Sequence, residues 1–329
     1  MTYRFRFMAR RNLFLALSGL LLLITVVSLL TRGLNFGIDF RGGVVIQITA
    51  TAPTNAGAVR AALTPSERGT ALIQQIGHSG KTFQIQLPPI GSTREQALET
   101  VLNQRFGAGK SVVNSVSLVS PVIGRELRSR AILAVVLATV LMTAFLGIRF
   151  QVGDAGSYSG LKFALAAVLA LLHDLTLTVG LFSVFHLPVN SPFVAAVLTV
   201  YGYSMNDTII VFDRIRERLQ HKPREPLTAT IDASVNQVLN RTITTVATVL
   251  LALLSVYFLG GMSTRDLALA LLVGVSFGTY SSVFIASPIL LWLLGDGDDA
   301  ARSARRGRSV ARGRPPVAVP GGGAGPAGA

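Results

Sequence analysis

Residues 13–30 read Leu-Phe-Leu-Ala-Leu-Ser-Gly-Leu-Leu-Leu-Leu-Ile-Thr-Val-Val-Ser-Leu-Leu and contain no charged side chain. A helix of about 20 apolar residues crosses ~30 Å of hydrocarbon, so this run predicts a membrane span over 12–31. Arginines at positions 4, 6, 10 and 11 precede it, as they do in signal peptides. The apolar run is long and no small-x-small cleavage site follows it, so we interpret it as a retained anchor.

Five further apolar stretches predict spans near 130–148, 161–185, 193–212, 242–260 and 266–294. The composition agrees, since 50% of the 329 residues are hydrophobic and only 14% are charged. The sequence therefore predicts a polytopic α-helical membrane protein with six transmembrane helices. With no cysteine, neither a disulfide framework nor a thiolate metal site is available.

The net charge of +14 lies largely beside the apolar segments, where Lys and Arg act as topology signals. This makes nucleic-acid binding the weaker interpretation. The N-terminal segment and the predicted loops 149–162 and 213–241 hold four, two and six Lys or Arg, whereas the loops 186–192 and 260–265 hold none and one. Both termini are therefore predicted to be cytoplasmic, with 32–129 on the outer side.

The outer segment alternates strand and helix periodicities. Val44, Ile46 and Ile48 alternate with Val45, Gln47 and Thr49, and further strands are predicted at 70–77, 81–87 and 111–119. Helical spacing follows the first strand, in Ala58, Val59, Ala62 and Leu63, and the third strand, in Leu98, Val101, Leu102 and Phe106. The order βαββαβ predicts a small ferredoxin-like α+β domain on the outer side.

The chain is thus predicted to divide into an N-terminus with the first span (1–31), an outer domain (32–129), spans two to six (130–294) and a tail (295–329). The tail is rich in Arg, Gly, Pro and Ala and is predicted to be disordered, because it cannot bury enough apolar area to fold. Its arginines can contact anionic membrane lipid.

Two carboxylates fall well inside predicted spans, Asp174 in the third and Asp207 in the fourth. An unpaired charge at the centre of a membrane helix costs roughly 2.5 to 3.5 kcal/mol or more, so both side chains are expected to face the bundle or a hydrated cavity. Arg241 opens the fifth span, and its long side chain can reach Asp207. Pairing with Arg weakens the proton affinity of a carboxyl group and separation restores it, which is the chemistry of a proton-driven machine.

Purely structural interpretations of these residues remain open. Asp207 can be a packing residue that is bonded to a neighbouring polar group, for which Asn206, Thr208, Ser204 and Thr245 are candidates. Arg241 can simply extend to the membrane interface, and His173 can satisfy a local hydrogen bond.

Two further patterns concern helix faces. Arg241, Thr244, Thr245 and Thr248 share one face of the fifth span, and we expect this polar face to point inward. Gly274 and Gly278 form a GxxxG pattern that allows a close helix approach in the sixth span. The sequence contains no phosphate-binding loop, nucleophile motif or metal-ligand cluster, so it predicts neither an enzyme nor a cofactor or metal site. The energy source is expected to be an ion gradient or a partner.

Three stretches resemble the SecF family, the smaller membrane subunits of the SecDF complex of the bacterial Sec translocase, within the RND transporter superfamily. They are Gly-Ile-Asp-Phe-Arg-Gly-Gly at 37–43, Gly-Tyr-Ser-Met-Asn-Asp-Thr-Ile-Ile-Val-Phe-Asp-Arg-Ile-Arg-Glu at 202–217, and Asn-Arg-Thr-Ile-Thr-Thr at 240–245, with Gly260 and Gly261 beyond it. The first motif is shared with the sister family SecD, whereas the second is long and specific. Asn240 replaces the Ser that usually precedes the family's arginine.

The resemblance implies a subunit of the bacterial inner membrane that works with SecD. Together they are expected to use the proton gradient to promote late steps of preprotein translocation through the Sec channel SecYEG, with the ATPase SecA on the cytoplasmic side. A complete machine of this type has two six-span repeats, and this chain holds one.

The resemblance also implies roles for individual residues. Asp207 and Arg241 fall on the family's proton-pathway Asp and Arg, and Asp174 falls in its His-Asp segment. Asn206, Thr208 and Thr245 are the expected polar shell of the pathway. The glycine motif implies a junction between the first span and the outer domain, formed by Gly37, Asp39, Gly42 and Gly43; the alternative is an ordinary start of a strand.

Two other functions remain open at this level. One is half of an RND-type small-molecule exporter, although such exporters usually carry both repeats and larger outer domains in one chain. The other is a passive scaffold of the channel without ion coupling. The coupling ion can be H⁺ or Na⁺, because an Asp/Arg pair beside hydroxyl groups suits either.

Overall fold

The structure is a computed structural model that describes residues 5–76, 79–107, 111–151, 160–221 and 225–295. The predicted disordered tail lies outside the described residues apart from Gly295. Most of the predicted loop at 149–162 lies outside them as well.

The described residues contain six helices that are long and apolar enough to cross a membrane, as the hydropathy predicts. We call them the first to sixth spans. They are Arg11–Thr31, Pro121–Gln151, Gly160–Val184, Ser191–His221, Leu227–Leu259, and a sixth span made of the consecutive segments Met262–Ser281, Ser282–Ala286 and Ser287–Leu294.

The prediction of a long loop at 213–241 is wrong, because the fourth span continues to His221 and the fifth begins at Leu227. Hydropathy identifies only the part of a helix that lies in hydrocarbon, whereas a helix continues wherever one of its faces can be buried. Ile215, Leu219, Ile231 and Val235 are buried at helical spacing, so the two extensions bury an apolar stripe outside the predicted hydrocarbon segments.

The sixth span is interrupted by a π-helical segment at Ser282–Ala286. Pro288 follows it and has no backbone N–H to donate to the preceding turn. The Ser287 hydroxyl donates to the Ser282 carbonyl oxygen, five residues earlier, at 3.2 Å. Such segments widen a helix locally and are frequent at functional sites.

The outer domain contains a four-stranded sheet. Numbered along the whole chain, the strands are β1 (Asn35–Phe36), β2 (Gly43–Thr49), β3 (Leu72–Ile76), β4 (Thr82–Leu87), β5 (Val113–Val119) and β6 (Pro188–Val189). The sheet has the order β3-β4-β2-β5 with antiparallel neighbours. This is the strand order of the predicted βαββαβ arrangement.

The helices of the domain agree less closely with the prediction. The first crossover contains two short helices, Ala56–Ala61 and Pro65–Arg68, and the second contains Ser92–Phe106. The break comes at Thr64 and Pro65, where a new helix starts with a capping box between Thr64 and Glu67. Ala62 and Leu63 therefore lie between helices, although Leu63 remains buried in the core.

One face of the sheet packs against these helices. The strand residues Val44, Ile46, Ile48, Phe83 and Ile85 are fully buried. They pack with Leu98 and Leu102 of the long helix in a core separate from that of the spans. The outer domain therefore has its own apolar core.

An ion pair between the buried Glu67 and the partly exposed Arg94 connects the short helix of this domain to the long one. Arg94 donates Nε and Nη2 to the two Glu67 carboxylate oxygens at 2.8 and 2.9 Å. This pairing lowers the pKa of Glu67 from 4.5 to about 2. Because the folded pKa lies below the unfolded one, the charged pair stabilises the domain fully above the ordinary Glu pKa and loses that contribution as the pH falls toward about 2.

Candidate functional site

The first buried carboxylate, Asp174, lies where the third, fourth and sixth spans meet and has no exposed surface. Ser204 Oγ and Ser281 Oγ both donate to its Oδ2 at 2.6 Å, one from the fourth span and one from the sixth. His173 Nδ1 lies 2.9 Å from its Oδ1. Three polar partners thus hold this carboxyl group in one position and connect three helices through it.

The second buried carboxylate, Asp207, is held much more loosely. It is 3% exposed, and its one hydrogen bond within the described residues comes from Thr279 Oγ1 of the sixth span at 3.2 Å. That length is beyond the usual range of about 2.5 to 3.0 Å for a hydrogen bond between two oxygen atoms. Asp207 is therefore a buried carboxyl group with most of its hydrogen-bonding capacity unused by the described residues.

Arg241 is on the neighbouring fifth span, as the sequence predicts, but the described residues contain no ion pair or hydrogen bond between it and Asp207. Its positive charge is near enough to act on the carboxyl group. The Arg241 side chain is exposed. Arg241 is thus close to Asp207, as expected, but does not contact it.

The observed surroundings of Asp207 differ from the predicted polar shell. Asn206 and Thr245 are exposed, and Thr208 Oγ1 donates to the Ser204 carbonyl oxygen at 3.1 Å. Neighbours in a helix point about 100° apart, so residues beside Asp207 in sequence face other directions. The hydroxyl partner of Asp207 comes instead from Thr279 on a facing helix.

The prediction of an inward polar face on the fifth span is also wrong within this chain. Thr244, Thr245 and Thr248 are exposed together with Arg241. The fourth span presents a second exposed row beside it, in which Thr199, Gly202 and Asn206 follow one another at spacings of three and four. Polar and small residues therefore line an uncovered face of the bundle next to Asp207.

The glycine pattern of the sixth span performs the predicted role. A Cβ atom at Gly274 would collide with the Val200 side chain, and one at Gly278 would lie 2.9 Å from Ser204 Cβ. Both contacts are with the fourth span. The close approach brings Ser281 and Thr279 within reach of Asp174 and Asp207.

His173 makes the local hydrogen bond that the sequence suggests, through Nδ1. Its Nε2 atom and the Thr242 hydroxyl are buried and have no hydrogen-bond partner among the described residues. Within the same residues, no group of three or more His, Asp or Glu side chains is arranged to hold a metal ion.

The glycine motif lies where the outer domain meets the membrane helices. Strand β1, just before the motif, pairs in parallel with β6, which precedes the fourth span. Gly37 N donates to the Val189 carbonyl oxygen at 2.8 Å, and Asp39 Oδ2 accepts a hydrogen bond from Ser191 N at 2.8 Å. Asp39 thus caps the first residue of the helix that carries Asp207.

Two glycines of the motif are required by geometry. Gly42 has φ +77°, and a Cβ atom there would lie 2.7 Å from Pro121 Cα, at the start of the second span. A Cβ atom at Gly43 would collide with the Leu87 carbonyl oxygen of β4. The motif is therefore a tight junction between the sheet, the second span and the fourth span, as the resemblance implies.

Sequence reasoning missed the hydroxyl partners that the sixth span supplies. Ser281, which donates to Asp174, and Thr279, which donates to Asp207, were not among the predicted site residues. Both follow Gly278 closely, so a signal was available: hydroxyl residues one turn from a close helix contact are placed to reach the facing helix.

Known families match the chain over most of its length. The family described as "Protein export membrane protein SecD/SecF, C-terminal" matches residues 99–296, and the "SecD/SecF GG Motif" matches residues 27–54. The chain is 39% identical over 292 residues to the protein translocase subunit SecF of Magnetococcus marinus, covering 87% of this chain and 91% of that protein. It is 36% identical over 287 residues to the same subunit of Pseudomonas aeruginosa, covering 87% and 90%.

A solved structure is similar as well. The crystal structure of SecDF, a translocon-associated membrane protein from Thermus thermophilus, superposes with a TM-score of 0.76 at 33% identity. The match covers 88% of this chain and 38% of that one, so the present chain spans about two fifths of the SecDF chain. SecDF in a super-membrane-facing form gives a TM-score of 0.66 at 32% identity, with coverages of 95% and 40%.

Proposed function

This chain belongs to the SecF family of protein translocase subunits, and from that membership we propose that it uses an ion gradient, together with a SecD subunit, to promote late steps of preprotein translocation. The coupling group is Asp207. Arg241 is the charge that modulates it, and Asp174 is the fixed polar centre around which the helices are arranged.

The observation that carries this proposal is the contrast between the two carboxylates. Asp174 has three short contacts from polar side chains, whereas Asp207 has one at 3.2 Å. Three such contacts fix the position of the Asp174 carboxyl group between the helices, so it is suited to a structural role. A loosely bonded, buried carboxyl group can gain and lose a proton with little rearrangement of its surroundings.

Arg241 gives the site a second state. Its side chain is exposed and free of ion pairs within the described residues, so it can approach Asp207 or withdraw from it. Its approach favours the charged carboxylate and its withdrawal favours the neutral acid. A motion that shifts the fifth span against the fourth thus exchanges a proton, and proton binding drives the reverse motion.

A second subunit is needed to cover the polar face of the fourth and fifth spans. Arginine and hydroxyl side chains facing hydrocarbon are unfavourable, and such residues normally face other helices or water. The matching half of an RND-type machine supplies such helices at its pseudo-symmetric interface. SecD, the family partner, is therefore the proposed cover, and the ion path runs between the two subunits.

The junction provides a route from this site to the outer domain. Asp39 bonds to Ser191 at the start of the fourth span, and Asp207 lies further along the same helix. A tilt of the fourth span therefore moves the domain attached to its end. On the proposed topology, with both termini cytoplasmic in the inner membrane, this domain contacts the emerging preprotein beyond the SecYEG channel.

The test is Asp207→Asn in the full chain, assembled with its SecD and the Sec channel in sealed vesicles. We expect preprotein translocation to lose its response to an imposed proton gradient, while ATP-driven translocation by SecA continues. Asp213→Asn is the matched control, because Asp213 lies on the same helix but is half exposed and paired with Arg149. Unchanged gradient dependence in the Asp207 variant, with the complex intact, would rule out the motor and leave a passive scaffold.

The same vesicles distinguish the coupling ion. A proton gradient without sodium and a sodium gradient at equal pH are imposed separately on the unmodified complex. Coupling to H⁺ predicts a response to the first alone. A response to sodium alone would move the proposal to Na⁺ while retaining Asp207 as the coupling group.

A further inference from the structure

A cavity of about 380 Å³ lies between the second, third and fourth spans at the end of the bundle that carries the outer domain. Apart from Arg128, its described walls are apolar and include Ile132, Val136, Val179 and Phe193. Phe36 of strand β1 is part of the same lining. The cavity has the size of a small-molecule pocket, and its described lining includes no residue of the polar face described above.

The cavity is open toward lipid. Ile132 and Val136 of the second span form part of its wall and are 56% and 53% exposed. In the most apolar part of that span only 6% of the residues are buried. The polar face that calls for a partner subunit is on the fourth and fifth spans, whereas this side of the bundle is apolar and suited to hydrocarbon.

Among the described residues that line the cavity, one is a cation, Arg128. The Arg128 guanidinium carbon lies 4.1 Å from the centre of the Phe36 ring, and the side chain makes no ion pair or hydrogen bond to any described residue. The nearby Arg130 is instead paired with Glu126 at 2.6 Å. A guanidinium with free N–H groups is a bidentate ligand for phosphate.

The separation of the two features matches an amphipathic ligand. Arg128 and Val136 are eight residues apart on one helix, which is about 12 Å at 1.5 Å per residue. The cation is at the level where the apolar part of the span begins, and the apolar wall continues from there into the membrane. We propose that this cavity binds one glycerophospholipid, with its phosphate on Arg128 and the upper part of one acyl chain against the second, third and fourth spans.

The test uses the purified full chain in mild detergent, titrated with phosphatidylglycerol and followed by native mass spectrometry. Arg128→Gln is expected to weaken binding about tenfold, the scale of losing charge-assisted hydrogen bonds. Arg125→Gln is the matched control, because Arg125 is exposed on the same helix and does not line the cavity. Equal binding by these two variants would overturn the assignment of the phosphate.

A second variant tests the acyl chain. Val179→Phe adds an aromatic ring to the cavity wall without changing charge, and it should reduce phosphatidylglycerol binding while the melting temperature stays close to that of the unmodified chain. Glycerol 3-phosphate, which offers the phosphate without a chain, should not compete. Unchanged lipid binding by Val179→Phe, effective competition by glycerol 3-phosphate, or displacement of the lipid when SecD is added would each refute the site.

Discussion

Asp174 and Asp207 are both aspartates inside apolar helices, yet they have opposite surroundings. Asp174 accepts from two serines on other spans at 2.6 Å and is fully buried. Asp207 has one longer bond to Thr279. The sequence identifies both as unusual, but only the facing helices show that their surroundings differ, and our proposal of a structural role for Asp174 and a titrating role for Asp207 depends on that difference.

The serines around Asp174 lead to a prediction about stability. Ser281→Ala removes one of two serine donors to a buried carboxylate, and we expect it to destabilise the purified chain by about 1 kcal/mol, the scale of polar contacts between membrane helices. Thermal unfolding in detergent should show a midpoint lower by roughly 2 to 4 °C.

Ser276→Ala is the control for this measurement. Ser276 is exposed on the same span, and its hydroxyl donates only to the Leu272 carbonyl oxygen of its own helix at 2.7 Å. Equal midpoints for the two variants would mean that Asp174 does not depend on Ser281.

At the scale of elements, the contact between the fourth and sixth spans determines the site. Gly274 and Gly278 let the sixth span approach Val200 and Ser204, and the hydroxyls that reach the two carboxylates follow directly after this contact. The π-helical segment begins at Ser282, next to the Ser281 donor. Close packing and polar bonding are therefore parts of one helix interface.

Gly278→Ala tests this interface. The new Cβ would lie 2.9 Å from Ser204 Cβ, so the two spans must separate. Overpacking of this kind costs about 1 to 3 kcal/mol, which exceeds the gain of about 1 kcal/mol in helix propensity. We expect a lower thermal midpoint and weaker coupling to the gradient.

Gly19→Ala has the same change in propensity without the collision, since a Cβ at Gly19 meets nothing within 4 Å. It should leave the midpoint unchanged or raise it. A similar loss in both variants would show that the effect comes from the helix backbone and not from the interface.

At the scale of the whole molecule, the outer domain and the spans have separate cores joined by a tight junction. Asp39 bonds to the fourth span, and Gly42 packs against the start of the second. We therefore expect a movement of these helices to move the outer domain as well. Transport by the proposed mechanism requires this connection as much as it requires Asp207.

Gly42→Ala is expected to interrupt that connection. The side chain is strained at φ +77° by roughly 1 to 2 kcal/mol and collides with Pro121. Gradient-dependent translocation should fall strongly, while limited proteolysis should still find a folded outer domain, because the core around Val44 and Phe83 is not touched. Gly69→Ala, where a Cβ meets nothing within 4 Å, is the control, and full activity of the Gly42 variant would contradict the proposed route.

The sequence by itself determined the six spans, the order of strands in the outer domain, the two buried carboxylates and the glycine junction. These features follow from length, periodicity and the cost of charge in hydrocarbon, which are local properties of the chain. It did not determine where the fourth helix ends and the fifth begins, because these polar extensions are held by apolar side chains that meet only in the folded bundle.

Tertiary structure alone decided which groups meet. Thr279 contacts Asp207 although 72 positions separate them, and Ser281 contacts Asp174 across 107. The threonines of the fifth span face outward, a direction set by the packing of the other helices. Spacing within one helix defines which of its residues share a face. Which other helix contacts that face depends on the packing of segments that are remote in sequence.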